Sequence, residues 1–329
     1  MNRLRRPRAL DPERLPIVGT ESRNLRDVEF DWLQGWDLRN GEPVWIPADA
    51  VYFRSGPTPP WSLSSNGLAS GNCLVEALAH ALAELIERDA LTLYKLATDY
   101  SHLPNLVSFI AGPPRLPPPE QFAPAPNLRY PFVDHDTLPG PLQEIVERIK
   151  QSKVCVDLRW AACDTSVPVF LCVIHEAYGS SMSLTHAGSG AHPDACVAAR
   201  RAVTEACQTR VTYIHGVRED LHHPALREQH APSDGWFSAD VPRVDFSTLP
   251  TYVHVDIRDD LRWMADALGG MGLHEVLAVD ISHPDIPFTV VKVLVPGLEA
   301  LLDFRIRDRV ALGWRARRFL QNKAREVVA

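Results

Sequence analysis

Glu76, His80, Glu84 and Glu87 follow one another at spacings of four, four and three residues, and Arg88 comes next. On a helix advancing about 100° per residue, these three carboxylates and the imidazole share an arc of about 80°, flanked by Arg88 at about 120°. The rest of the circumference carries Leu74, Val75, Leu78, Leu82, Leu85 and Ile86 with alanines between them, so one polar stripe interrupts a helix that is otherwise apolar. Carboxylates three and four residues apart repel each other, and a cation is their natural partner. Hard carboxylate oxygens beside an arginine suit Mg²⁺ shared with phosphate, because Mg²⁺ is usually held by one or two carboxylates together with nucleotide oxygens. The same spacing also belongs to a polar stripe that merely faces water.

A second stripe repeats the theme. Asp194, Arg201, Glu205 and Gln208 fall within about 60° of one another on a helix, with Thr212 on the same line. An Arg-Glu-Gln row of this kind can bind a triphosphate, and it can equally be a surface hydrogen-bond ladder. Each stripe follows a segment of small residues: Ser64-Ser65-Asn66-Gly67-Leu68-Ala69-Ser70-Gly71-Asn72 before the first, and Gly188-Ser189-Gly190-Ala191-His192-Pro193 before the second. Glycine-rich segments entering a helix present backbone N–H groups to anions. No Gly-Lys-Ser/Thr follows either one, so neither is a Walker A loop.

The elements that position these residues are legible in outline. Asn72 reads as the N-cap of a helix running from about Cys73 to Leu96, and a second long helix runs from about Asp194 to Ile214 behind the flexible segment His186 to Gly190. Leu142 to Gln151 reads as a helix, and Val154 to Trp160 with Val167 to Ile174 as a β pair. Thr251 to Asp256, a helix over Asp259 to Leu268, Glu275 to Ile281 and Phe288 to Val295 give a β-α-β-β order, which predicts a mixed α/β (α+β) architecture. Residues 1–60 read as an irregular segment with one strand-like stretch at Val44-Trp45-Ile46, residues 61–300 as the domain core, and residues 301–329 as a basic C-terminal helix. Seven of the fifteen residues from Gly112 to Pro126 are proline, a stiff connector.

Composition limits the function classes. The chain has 329 residues, 45% hydrophobic and 23% charged, with a formal net charge of -7, the balance of a globular protein rather than of a fibre or a nucleic-acid-coating chain. Nucleic acid is therefore not expected as a partner, although Arg305 to Arg325 carries eight basic residues against Asp308 alone. No apolar run approaches the roughly 18 residues of a spanning helix, and Ala9-Leu10-Asp11-Pro12-Glu13 stands where a signal peptide needs an apolar core. No membrane is expected. Six cysteines without a C-x-x-C pair point to free thiols and a cytoplasmic location, and His222-His223 reads as a surface turn.

The stretch from Ser65 to Asn72, with Glu76 and the run Ala83-Glu84-Leu85-Ile86-Glu87-Arg88-Asp89-Ala90, resembles the ATP and Mg²⁺ signature of the YcaO family. Gly188 to Asp194 with Arg201 to Arg210, and Val293 to Glu299, resemble two further segments of that family. The resemblance implies a YcaO-like fold with mixed sheets and long ATP-site helices. It implies ATP and Mg²⁺ as cofactors, with Asn72, Glu76, Glu84 and Glu87 helping to hold metal and phosphates, Glu76, Glu84 and Glu87 as the metal ligands, and Arg88 and Arg201 on phosphate oxygens. The implied activity is phosphorylation of a peptide backbone amide oxygen after a nucleophile has added to the carbonyl; loss of phosphate then leaves an azoline, a thioamide or an amidine. No catalytic acid or base is nominated. The implied partners are a peptide substrate, either a ribosomally made precursor or a ribosomal protein, and a TfuA-like or complementary N-terminal partner protein; a homodimer is admitted.

Two departures shape the alternatives. The family's earlier Ser-x-x-x-Glu-x-x-Glu helix has no match in residues 1–60, which reads as a core lacking about 60 to 100 N-terminal residues. The last proline is Pro296, whereas many azoline-forming members end in a proline-rich tail, and this opens thioamide chemistry beside azoline formation. The alternative to an enzyme is a non-catalytic or split accessory subunit, or an accessory factor for methylthiolation of a ribosomal protein.

Overall fold

The computed structural model describes residues 8–15, 25, 28–52, 64–98, 130–161, 163–176, 185–216, 242–299 and 314–316. Two compact units divide the chain: residues 1–123 with 255–329, and residues 124–254. Numbered along the chain, the strands of the first unit are β1 (Arg8–Ala9), β2 (Trp32–Asp37), β3 (Pro43–Pro47), β4 (Leu68–Gly71), β10 (Leu277–Asp280) and β11 (Thr289–Leu294), and its helices are α1 (Leu74–Thr98) and α4 (Ile257–Gly270). The second unit holds β5 (Phe132–Val133), α2 (Gly140–Gln151), β6 (Val154–Trp160), β7 (Val169–Glu176), β8 (Thr185–Ala191), α3 (Ala195–His215) and β9 (Arg243–Val244).

In the first unit the strands form one mixed sheet in the order β1-β3-β2-β10-β11-β4, antiparallel except where β1 joins β3. Side chains alternate between faces with a period of two. One face therefore gathers Val44, Ile46, Leu277 and Val279, which pack with Leu10, Leu15, Leu25 and Val51. On the other face Val291 and Val293 are fully buried, where α1 lies across β4 and β11 and α4 packs on α1. Ala77, Ala81, Leu82 and Ile86 are likewise fully buried, the apolar arc that sequence periodicity assigns to this helix.

The second unit is a five-stranded sheet in the order β8-β7-β6-β5-β9. Its core joins Leu158, Phe170 and Ile174 of the strands to Leu142 and Val146 of α2 and to Ala198, Ala199, Ala202, Val203 and Ala206 of α3. The alanines make α3 thin on its sheet side. A Cβ on Gly188 would stand 2.1 Å from the Ala206 backbone nitrogen, and one on Gly190 would stand 2.2 Å from the Ala198 carbonyl oxygen. Glycine at both positions thus brings strand and helix backbones into direct contact.

The mixed α/β class matches the sequence reading, and several elements differ from it. Residues 32–47, expected to be largely irregular, form the β2–β3 pair. The segment His186 to Gly190, expected to be flexible, is the middle of β8; its glycines serve close packing rather than freedom. Thr251 to Asp256 is not a strand, and the short β9 stands ahead of it. The proline connector at 112–126, His222-His223 and all of the expected C-terminal helix but 314–316 lie outside the described residues; 314–316 are helical.

Candidate functional site

The approach to α1 is a tight turn. Leu68 donates its backbone N–H to the Ser65 carbonyl at 2.8 Å, and Gly67 sits at φ 76°, a positive angle that glycine adopts without steric cost. A Cβ there would also meet the Val293 carbonyl oxygen at 2.4 Å. Beyond β4 the first intrahelical bond runs from Ala77 N–H to the Cys73 carbonyl at 3.1 Å, so Cys73, not Asn72, holds the cap position. Asn72 instead donates to Glu76 Oε2 twice, from its backbone N–H at 2.8 Å and from Nδ2 at 3.0 Å.

Glu84 is anchored in a related way. Its Oε2 accepts the Gly67 N–H at 3.1 Å, while its Oε1 lies 3.9 Å from Arg88 Nη2. Glu76 and Glu84 therefore each spend one oxygen on the backbone that precedes the helix and leave the other to the partly exposed face. Glu87 is buried at 9% exposure, and His80 is exposed. Eight residues separate Glu76 from Glu84, about 12 Å along a helix axis, whereas Glu84 and Glu87 stand about 4.5 Å apart along it. One ion can join Glu84 to Glu87 across a single turn, and the backbone of Glu76 stands two turns farther toward the helix start. Among the described residues no three His, Cys, Asp or Glu side chains form a ready-made metal cluster.

Two residues near Glu84 escaped the sequence reading. Lys292, on β11 and only 4% exposed, donates from Nζ to the carbonyls of Ser64 and Asn66, both at 2.8 Å. Burial pushes its ammonium down to about 8, opposed by the charge of Glu84. Asn66, 7% exposed, keeps a buried side-chain oxygen with no hydrogen-bond partner. A lysine inside an apolar strand was the available signal for the first; the second lies in the Ser65 to Asn72 stretch that carries the family resemblance, where nothing singles it out from its neighbours.

The fit to Mg²⁺ and phosphate rests on this chemistry. The available groups are carboxylate oxygens and one orphaned buried amide oxygen, all hard donors, with Arg88 to oppose phosphate charge. A ligand set short of a closed cage suits a metal that completes its shell with nucleotide oxygens and water.

The other stripe lies in the second unit. Asp194 caps α3, accepting the Cys196 N–H at 2.8 Å, and Arg201 Nη1 donates to the Ala191 carbonyl at 3.0 Å. Glu205 Oε2 accepts both the N–H and the hydroxyl of Ser189. Glu205 on α3 thus copies Glu84 on α1: a glutamate more than two turns into the helix reaches back to an amide of the preceding strand or turn. All six cysteines are free, and burial pushes the thiols of Cys172, Cys196 and Cys207 upward, away from reactivity.

Residues 1–299 match the family model described as YcaO cyclodehydratase, ATP- and Mg²⁺-binding. The chain is 30% identical over 301 residues to an uncharacterised protein of Methanothermobacter thermautotrophicus, covering 88% of this chain and 70% of that one. It is also 30% identical over 287 residues to a Rhizobium leguminosarum protein named for its place in the tfuA 3' region, covering 82% of this chain and 60% of that one. Among solved structures, YcaO from Methanopyrus kandleri bound with AMPPCP and Mg²⁺ superposes with a TM-score of 0.65 at 20% identity, over 94% of this chain and 73% of that one. The heterocyclase TruD gives 0.64 at 24% identity, over 93% of this chain and 42% of its own. These structural likenesses are likenesses of fold.

Proposed function

The chain belongs to the YcaO family, and on that premise we propose that it activates a backbone amide of a peptide by ATP-dependent phosphorylation, for thioamide or azoline formation in a ribosomally made peptide. ATP and Mg²⁺ are the cofactors of the family. Bound here, Mg·ATP would supply the γ-phosphoryl group. The chain's own part is to hold and neutralise: Glu84 and Glu87 as ligands of one metal ion, Glu76 with Asn72 at a second point about 12 Å along the helix, and Arg88 on phosphate oxygens. Positioning and charge neutralisation are what phosphoryl transfer demands of a protein. Arg201 is proposed as a phosphate contact on the family resemblance alone.

The observation that carries the reading is the half-tethered state of Glu76 and Glu84, each fixed by one oxygen, with the second oxygen of Glu84 beside Arg88. The test is release of phosphate from ATP by the full chain, with and without Mg²⁺. Mg²⁺-dependent release that falls at least about tenfold in Glu87→Gln, a loss of the size expected for a metal ligand, supports it; release unaffected by chelation of the metal would overturn it.

A second reading makes the chain a subunit that acts only with a partner protein, or an accessory factor for ribosomal-protein methylthiolation. Trp32, Trp36 and Trp45 favour a partner: they project from one face of β2 and β3 and are 38%, 45% and 38% exposed, an aromatic surface of the kind that protein contacts cover. The partner we propose is a TfuA-like protein. Phosphate release only after that protein is added would select this reading, and full release by the chain alone would exclude it.

A further inference from the structure

We propose that Lys292 is a positioning residue for Glu84, acting through the single peptide group that joins Asn66 to Gly67; the inference rests on the reading of Glu84 as a metal ligand. The carbonyl of that peptide accepts from Lys292 Nζ at 2.8 Å, and its N–H donates to Glu84 Oε2 at 3.1 Å. In a trans peptide these two groups point in opposite directions. An ammonium on one edge and a carboxylate on the other polarise one amide between them, and each bond strengthens the other.

The turn explains why both edges need holding. Ser65 to Leu68 is closed by the bond from Leu68 N–H to the Ser65 carbonyl. Gly67, its third residue, has φ 76°, and Asn66 is not among the residues of positive φ, so the turn is type II. Type II and type I turns differ mainly by a flip of their middle peptide, here Asn66–Gly67. The flip would aim a carbonyl oxygen at the Glu84 carboxylate and leave Lys292 without one acceptor. Lys292 also holds the Ser64 carbonyl at 2.8 Å, and Val293 N–H holds the Gly67 carbonyl at 2.7 Å. An ammonium buried to 4% exposure is costly, and a methionine would fill the strand position without that cost. The selection of one peptide orientation is what the charge provides.

The test is a double-mutant cycle on the full chain, with Mg·ATP affinity read by calorimetry and folding by circular dichroism. Lys292→Met lowers affinity by about 10- to 100-fold, the range for residues that orient metal ligands. Lys292→Arg restores part of it. Lys292→Met and Glu84→Gln are non-additive, while Lys292→Met and Glu76→Gln add, because Glu76 is anchored by Asn72 and not by this turn. Additivity with both glutamates, or wild-type affinity in a folded Lys292→Met, overturns the proposal. The amide resonance of Gly67 in glycine-labelled protein gives a second readout that needs no nucleotide. It moves upfield in Lys292→Met, or in Lys292→Gln should the methionine variant not fold. An unmoved Gly67 resonance overturns the proposal even if no Mg·ATP binds, whereas absent binding with a shifted resonance faults the reading of Glu84 and leaves the clamp standing.

Discussion

At the scale of single residues, the common device is a glutamate with one oxygen committed to a backbone amide that precedes its helix. Glu84 does this with Gly67 and Glu205 with Ser189, and Glu76 does it with Asn72. The helical spacing of the carboxylates was legible from sequence, because a 3.6-residue period fixes which side chains share a face. Their anchoring was not, since a bond from Glu84 to an amide 17 positions earlier depends on how the turn folds back. Lys292 was hidden for a similar reason: Val290-Val291-Lys292-Val293 shows a charge within an apolar strand, but not that its ammonium ends between two carbonyls. Its depressed pKa makes a prediction with a definite sign. The folded chain releases this proton at about 8 and the unfolded chain at about 10.4. The unfolded state binds more protons in that window, so wild-type stability gains from this group as pH rises through it. Urea unfolding of wild type and Lys292→Met should therefore show the wild type gaining about 2 kcal/mol relative to the variant between pH 7 and pH 10; a constant difference would contradict a buried ammonium.

At the scale of elements, close approach and buried charge hold the supporting structure. Gly188→Ala or Gly190→Ala should cost about 1–3 kcal/mol or more in chemical denaturation, because the added methyl meets helix backbone that cannot retreat as a side chain does; a neutral substitution would show that β8 and α3 are farther apart than described. On α1, Asp89 is fully buried and takes a bidentate contact from Arg315, Nε to Oδ1 at 3.1 Å and Nη2 to Oδ2 at 2.7 Å, while the Glu299 N–H donates to Oδ1 at 2.8 Å. Removing one partner strands a buried charge, so Arg315→Ala should lose about 3–5 kcal/mol and Asp89→Asn with Arg315→Met together should lose less than the sum. Additive losses would mean that the pair is not coupled. Sequence reading placed Arg315 on a basic C-terminal helix without marking it as buried, since a run of arginines does not reveal which one turns inward. A short repeat also went unseen because it is shorter than the 20–50 residues of solenoid repeats. Asp11, Asp134 and Asp245 each begin an Asp-x-x-x-Leu-Pro sequence. Each aspartate stands one or two residues past a two-residue strand and caps a 3₁₀ turn, with Leu15, Leu138 and Leu249 buried at its end.

At the scale of the whole molecule, the chain spans 60% of the Rhizobium relative and 42% of TruD. The mixed α/β class was readable because helix and strand periods alternate along the chain. The two units were not, because the first is assembled from segments on either side of the second and hydrophobic periodicity carries no record of which strands pair at long range. The proposed function stands or falls on whether the α1 stripe binds Mg·ATP. Calorimetric titration of ATP into the full chain, with Mg²⁺ and with EDTA, and again with Glu84→Gln, tests it most directly. Mg²⁺-dependent binding that weakens at least about tenfold in the variant is the expected result, the loss that follows when a metal ligand loses its charge. Equal affinity in wild type and Glu84→Gln, or binding indifferent to the metal, would contradict it.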